Sequence, residues 1–167
     1  MAMTLQKMKA TDRKIYLYDT FAGMTEPEDV DKAISDSSKA WDTWKEHEKK
    51  KHNEWCFSPL SEVKRNVFST KYPKKNFTFV KGKVEETIPK KVPSQIALLR
   101  LDTDWYKSTY HELLHLFPLI SKNGVLIIDD YGHWAGSKKA VDSYFKENNI
   151  DILLNRIDYT GRLGIKY

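Results

Sequence analysis

Apolar positions recur along the chain in two periods, and the changes between them mark out the elements. A short amphipathic piece over 3–13, with Leu5 and Met8 at helical spacing, leads into KIYLY (14–18), a compact β-type run that stops at Asp19. The next stretch, TFAGMTEPEDV, is a loop with Gly23 and Pro27. Thr25 and Glu28 stand at capping-box spacing, with Pro27 near the first turn, and predict a helix that runs with breaks to about Trp55. Its acidic early turns (Glu26, Glu28, Asp29, Asp31) and basic late turns (Lys49, Lys50, Lys51) suit a helix dipole. Ser58-Pro59 opens another helix with Leu60, Val63 and Val67 on one face, and NFTFV (76–80) is a second strand.

The second half alternates more cleanly. IALLRL (96–101), broken only by Arg100, has the continuous apolar pattern of a strand buried on both faces, and it stops at Asp102. Residues 105–119 predict a helix with Tyr106, Tyr110, Leu113, Leu114 and Phe117 inward, ended by Pro118 and Asn123-Gly124. VLIIDD (125–130) is strongly strand-like, and a helix follows over about 136–148. DILLNRI (151–157) and RLGIKY (162–167), joined by a few residues around Tyr159-Thr160-Gly161, predict an antiparallel hairpin. Strands that alternate with helices imply a parallel α/β sheet with right-handed crossovers, in a single domain over 1–167.

Composition narrows the function classes. The 167 residues carry 28 Lys+Arg against 23 Asp+Glu, a net charge of +5, and 40% of them are apolar, enough for a packed core. No apolar run reaches the ~20 residues of a membrane span and no signal-peptide pattern opens the chain, so a cytoplasmic protein without a membrane partner is expected. The single cysteine, Cys56, leaves no disulfide framework and no Cys-rich zinc site. The first glycine is Gly23, and no dinucleotide-type or P-loop-type glycine motif can be written anywhere in the chain.

The candidate chemistry sits where strands end. In an open α/β sheet, ligands bind beyond the carboxyl ends of the strands. Three predicted strands end there in acid: at Asp19, at Asp102-Thr103-Asp104, and at Asp129-Asp130. Carboxylates crowded on one rim need a cation or a proton, and all-oxygen ligands suit a hard cation, Mg²⁺ before Ca²⁺ or Mn²⁺. Asp104 and Asp130 can also be read as N-caps of the helices that follow, although one cap needs only one carboxylate.

On these residues the chain resembles a known family. LLRLDTDWYKSTYHELLHLFPLISKNGVLIIDDYGHW looks like the core of the macrocin O-methyltransferase (TylF) family, and the likeness continues through KKAVDSYF and NRIDYTGRLGIK. LYDTFAGM resembles the family's second-strand motif and FVKGKVEETIP its third-strand motif. The resemblance implies a Rossmann-like class I methyltransferase sheet, mostly parallel with a C-terminal antiparallel hairpin. It implies S-adenosylmethionine as methyl donor, Mg²⁺, and a sugar or other vicinal diol as the small-molecule acceptor. It assigns Asp19, Phe21 and Gly82 to the donor and Asp102, Asp129 and Asp130 to the metal. Asp102, or with less support Asp104 or His133, would take the proton from the reacting hydroxyl.

In the family a first strand and a glycine-rich turn precede the second strand. Here only thirteen residues without glycine precede residue 14, so the chain is expected to be a truncated domain with the first strand missing and to bind the donor weakly by itself. That leaves strands 14–18 and 96–101 with open inner edges. Direct pairing of the two is expected, with a homodimer as the other way to fill the gap. Two rival readings come from other classes. One is a basic nucleic-acid-binding module, suggested by Trp41, Trp44, Trp55, Phe57, Phe77 and Phe79 among the lysines of 45–91. An acidic rim repels phosphate, so nucleic acid is not the expected partner. The other is a catalytically dead remnant of the methyltransferase fold.

Overall fold

The elements run α1 (Ala2–Lys7), β1 (Ile15–Asp19), α2 (Ala40–Glu46), α3 (Leu60–Ser69), β2 (Phe77–Lys81), α4 (Val84–Thr87), β3 (Ile96–Leu101), α5 (Tyr106–Leu116), β4 (Ile120–Ile128), α6 (Ala135–Glu147), β5 (Asn155–Arg156) and β6 (Arg162–Ile165). The computed structural model describes the whole sequence, Met1–Tyr167. The elements form two compact units, Met1–Thr25 with His47–Thr87, and Glu26–Glu46 with Ile88–Tyr167.

In the first unit β1 and β2 pair in parallel, from Ile15 opposite Phe77 to Asp19 opposite Lys81. Ile15, Tyr72 and Phe77 form its buried centre, with Leu5, Val67, Phe68 and Phe79 packed around them. The Tyr72 hydroxyl donates to the Arg13 and Ala10 carbonyls, so a buried phenol finds its polar partners in the stretch that leads into β1. Phe77 and Phe79, two of the aromatics behind the nucleic-acid reading, lie in this cluster. The expected 3–13 helix is only α1. Lys9 takes φ 58 and Ala10 N–H bonds back to Leu5, which turns the chain out of the helix. Gly23 (φ +82) is required where it stands, because a Cβ would lie 1.8 Å from the Asn53 carbonyl oxygen.

In the second unit the strands lie in the order β3-β4-β6-β5, with β3 and β4 parallel, β6 antiparallel to β4, and β5 antiparallel to β6. Helices α5 and α6 pack together through Tyr110, Phe117, Tyr144 and Phe145. Lys166 Nζ donates to the carbonyls of Phe117, Pro118 and Ile120, which satisfies the C-terminal end of α5 and its 3-10 extension. The mostly parallel sheet with a C-terminal antiparallel hairpin is the expected Rossmann-like arrangement.

Five further expectations need correction. Residues 26–39 are not helical: the Thr25–Glu28 capping box is replaced by a bond from Glu28 N–H to the Asp31 carboxylate, and Lys32–Ile34 bonds to 133–135 through backbone groups. The strand after α5 begins at Ile120, not at 125; Asn123 (φ 62) and Gly124 form a bulge within β4 instead of ending the unit. Leu114, expected inward, is exposed, and β3 is not buried on both faces: Leu98 is 39% exposed. Finally, β1 pairs only with β2, and β3 only with β4, so the ladder between 14–18 and 96–101 does not form. Direct closure was expected because buried unpaired backbone is costly. Along β3, however, Ala97, Leu98 and Arg100 are exposed, so the strand is not the fully buried element that the expectation assumed.

Candidate active site

Register brings the acids together. Leu101 lies opposite Ile128 in the β3–β4 ladder and accepts the Asp129 N–H, so Asp102 and Asp129 leave the sheet side by side. Arg100, two residues before Asp102 and therefore on the same face of β3, reaches both: Nη1 lies 2.6 Å from Asp102 Oδ2 and Nη2 2.9 Å from Asp129 Oδ1. Asp102, Asp104 and Asp130 can each turn a carboxylate oxygen to one point, all three within 4.8 Å of one another. The expected metal set was Asp102, Asp129 and Asp130; Arg100 pairs with both Asp102 and Asp129, and Asp104 lies together with Asp102 and Asp130.

Asp104 has a left-handed backbone (φ 67), which Asp tolerates better than most residues. Its Oδ2 accepts the indole N–H of Trp134 at 3.1 Å, and the Trp134 ring stands edge-on to Trp105. Neither Asp104 nor Asp130 caps the helix that follows: the N-cap residues of α5 and α6 are Trp105 and Trp134. Burial and then the neighbouring Asp102 charge push Asp104 up to about 6. Burial and then the charges of Asp104, Asp102 and Asp129 push Asp130 up to about 8. Asp102 is also raised, by burial and by its bond with Asp129, against the pull of Arg100. Without a counter-charge these carboxylates hold protons well above the ordinary range. A hard divalent cation therefore fits this all-oxygen set. His133 turns elsewhere, with Nδ1 3.1 Å from the Tyr159 hydroxyl.

The first unit holds the expected donor residues. Asp19 ends β1, and its Oδ1 accepts the Phe21 N–H at 2.8 Å while Oδ2 has no protein partner. Phe21 is buried with φ 51, so its backbone, not its ring, orients Asp19. Gly82 follows β2 and donates its N–H to the Asp19 carbonyl; at φ +136 its conformation is one that favours glycine. Just beyond, Glu85 Oε2 is buried without a partner. Two unpartnered carboxylate oxygens near paired strand ends suit the hydroxyl and amine groups of a nucleoside-containing ligand.

Sequence reasoning missed the parts that only the folded backbone brings close. Trp134 and Arg100 were not named for the site. The position of Arg100 two residues before Asp102 was a usable signal, whereas nothing in the sequence connects Trp134 with Asp104.

Comparison with known proteins identifies relatives along nearly the whole chain. The family model described as Macrocin-O-methyltransferase (TylF) matches residues 1–163. The chain is 32% identical over 151 residues to the 8-demethyl-8-(2,3-dimethoxy-alpha-L-rhamnosyl)-tetracenomycin-C 4'-O-methyltransferase of Streptomyces olivaceus, a match that covers 90% of this chain and 54% of that one. It is 29% identical over 159 residues to the mycinamicin III 3''-O-methyltransferase of Micromonospora griseorubida, covering 94% of this chain and 59% of that one. Among solved structures, the O-methyltransferase NovP superposes with a TM-score of 0.79 at 27% identity, covering 97% of this chain and 63% of that one. The chain thus spans little more than half the length of these two curated relatives. With the LDTD and IIDD turns at adjacent strand ends and a family match along nearly its whole length, the chain belongs to the macrocin O-methyltransferase (TylF) family.

Proposed function

We propose that this chain carries the acceptor-activating acids of an S-adenosylmethionine-dependent O-methyltransferase that acts, with Mg²⁺, on a hydroxyl of a sugar-like or other vicinal-diol acceptor. The observation that carries the reading is the convergence of Asp102, Asp104 and Asp130 just past β3 and β4. The relatives named for O-methylation of a rhamnosyl compound and of mycinamicin III support the acceptor class.

Asp102 and Asp130 would hold the cation, with Asp104 in reach of it. When bound, a hard divalent cation lowers the pKa of a hydroxyl that it contacts and fixes that oxygen for attack. Asp104 takes the hydroxyl proton: it lies beside the two acids that would hold the cation, and the Trp134 indole N–H orients its carboxylate. Asp102 was the first candidate for this role, but its Oδ2 already accepts from Arg100, which fits it better to holding charge in place. S-adenosylmethionine, when bound, supplies the methyl group. Asp19 Oδ2 would accept from the donor's ribose hydroxyls, and Gly82 keeps side-chain bulk away from the strand end beside it.

The test is methyl transfer from tritiated S-adenosylmethionine by the full protein to a panel of vicinal-diol glycosides that includes methyl α-L-rhamnopyranoside. Transfer is expected, is expected to vanish with EDTA, and is expected to return with Mg²⁺. Transfer indifferent to EDTA, or none to any member of the panel, would contradict the proposal.

A further inference from the structure

Short polar side chains in this chain favour one local bond. The carboxylates of Asp19, Asp36 and Asp158 each accept the backbone N–H two residues on, from Phe21, Ser38 and Thr160, and the Asn53 amide oxygen accepts the Trp55 N–H in the same way. Asp104 precedes a helix, where the same bond to Tyr106 N–H would both form a turn and cap α5. It does not make this bond. The Tyr106 N–H is already taken, at 2.8 Å, by Oδ1 of Asp31, 75 residues away in the sequence.

Asp31 is built into that position. It is 2% exposed, its Oδ2 accepts the Glu28 N–H at 2.8 Å, and its carbonyl accepts the Ala40 N–H. The room for its carboxylate comes from a glycine. A Cβ on Gly136, in the first turn of α6, would stand 1.8 Å from Asp31 Oδ1 and 3.0 Å from the Tyr106 nitrogen. The backbone on either side is tied to the same place: Ile34 N–H bonds to the His133 carbonyl, and Ala135 N–H to that of Lys32. With Tyr106 satisfied from outside, the Asp104 carboxylate is left free to meet the Trp134 indole N–H.

We propose that Asp31 is a positioning residue: by capping α5 from the 26–46 segment, it releases Asp104 from the local turn and sends its carboxylate to the Trp134 side of the site. The importance of this for catalysis rests on the reading of Asp104 as proton acceptor. The placement of Asp104 itself does not. The arrangement also accounts for a buried acid and a glycine that have no direct part in the chemistry.

The reporter is the indole N–H of Trp134 in ¹H–¹⁵N spectra of the full chain at one fixed pH, assigned with Asp104→Asn and Trp134→Phe. In Asp31→Ala the Trp134 signal is expected to leave its wild-type position, because Asp104 turns to the vacated Tyr106 N–H. Gly136→Ala leaves Asp31 in the sequence but displaces its carboxylate, and is expected to move the same signal in the same direction. Asp31→Asn leaves one acceptor oxygen for the two N–H donors of Tyr106 and Glu28, and is expected to move the signal less than Asp31→Ala. Methyl transfer by Asp31→Ala is expected to fall about tenfold in kcat with little change in acceptor KM, since a misplaced group near the reacting atoms costs rate more than binding. A folded Asp31→Ala whose Trp134 signal stays at the wild-type position overturns the proposal. Should Asp31→Ala fail to fold, an unmoved signal in Gly136→Ala overturns it equally. Movement of the signal in a protein that shows no cation binding upholds the positioning role and counts only against the cation reading.

Discussion

Asp104→Asn is expected to lower kcat for methyl transfer by ~10²–10⁴-fold, the usual contribution of a positioned general base. The amide keeps nearly the same shape and can still accept the Trp134 indole hydrogen, so the local structure should survive while the proton acceptor is lost. The KM for the donor should hardly move. Asp104→Asn therefore separates two roles within one acidic group: rate should collapse while cation affinity falls less than in Asp130→Asn. Steady-state kinetics with saturating Mg²⁺ check it. A loss of less than tenfold would assign the proton to another group, with Asp102 next in line.

A large pH effect is expected on the cation-free chain. Asp104 and Asp130 have folded-state values of about 6 and about 8 against an ordinary 3.8, so the folded state binds more protons than the unfolded state between about pH 4 and 8. Stability then falls as pH rises through that window. Asp36 and Asp158 act in the opposite sense lower down. Their values are lowered chiefly by the Ser38 and Gly161 backbone N–H groups, so their contribution is present above the ordinary carboxylate range and is lost as pH falls through their folded-state values. The two trends place the optimum near pH 4. The cation-free chain is therefore expected to melt at a lower temperature at pH 8 than at pH 5. Saturating Mg²⁺ at pH 8 should restore ~2–3 kcal/mol, the linkage expected at about 100 times the dissociation constant. Calorimetry in EDTA and in Mg²⁺ at pH 5 and pH 8 checks both signs. A higher melting temperature at pH 8 than at pH 5 in EDTA would contradict the account.

The strand-end acids were legible in the sequence because strand patterns are local: a short apolar run followed by Asp reveals both the strand and the rim position, as at Asp19, Asp102 and Asp129. The hairpin was legible for the same reason, although its first strand shrinks to Asn155–Arg156. The segment 26–39 was misread because its polar pattern fits a capped helix. The competing partners are the Tyr106 N–H and the backbone of 133–135, which are remote in sequence. The meeting of Asp104 with Asp102 and Asp130 was not legible for a similar reason: its carboxylate is held by the Trp134 indole N–H, which is remote in sequence. The open edge of β3 was misjudged because burial on both faces was inferred from an apolar run whose middle, at Leu98, is exposed.

The central claim is that Asp102, Asp104 and Asp130 form one site for a hard divalent cation. Its most direct test is an electron paramagnetic resonance titration of the full chain with Mn²⁺ at pH 8, beside Asp130→Asn. The account predicts one saturable site in the wild type, displaced by excess Mg²⁺, with affinity at least tenfold weaker in the variant. Equal affinities in the two proteins, or no saturable site in the wild type, would contradict it.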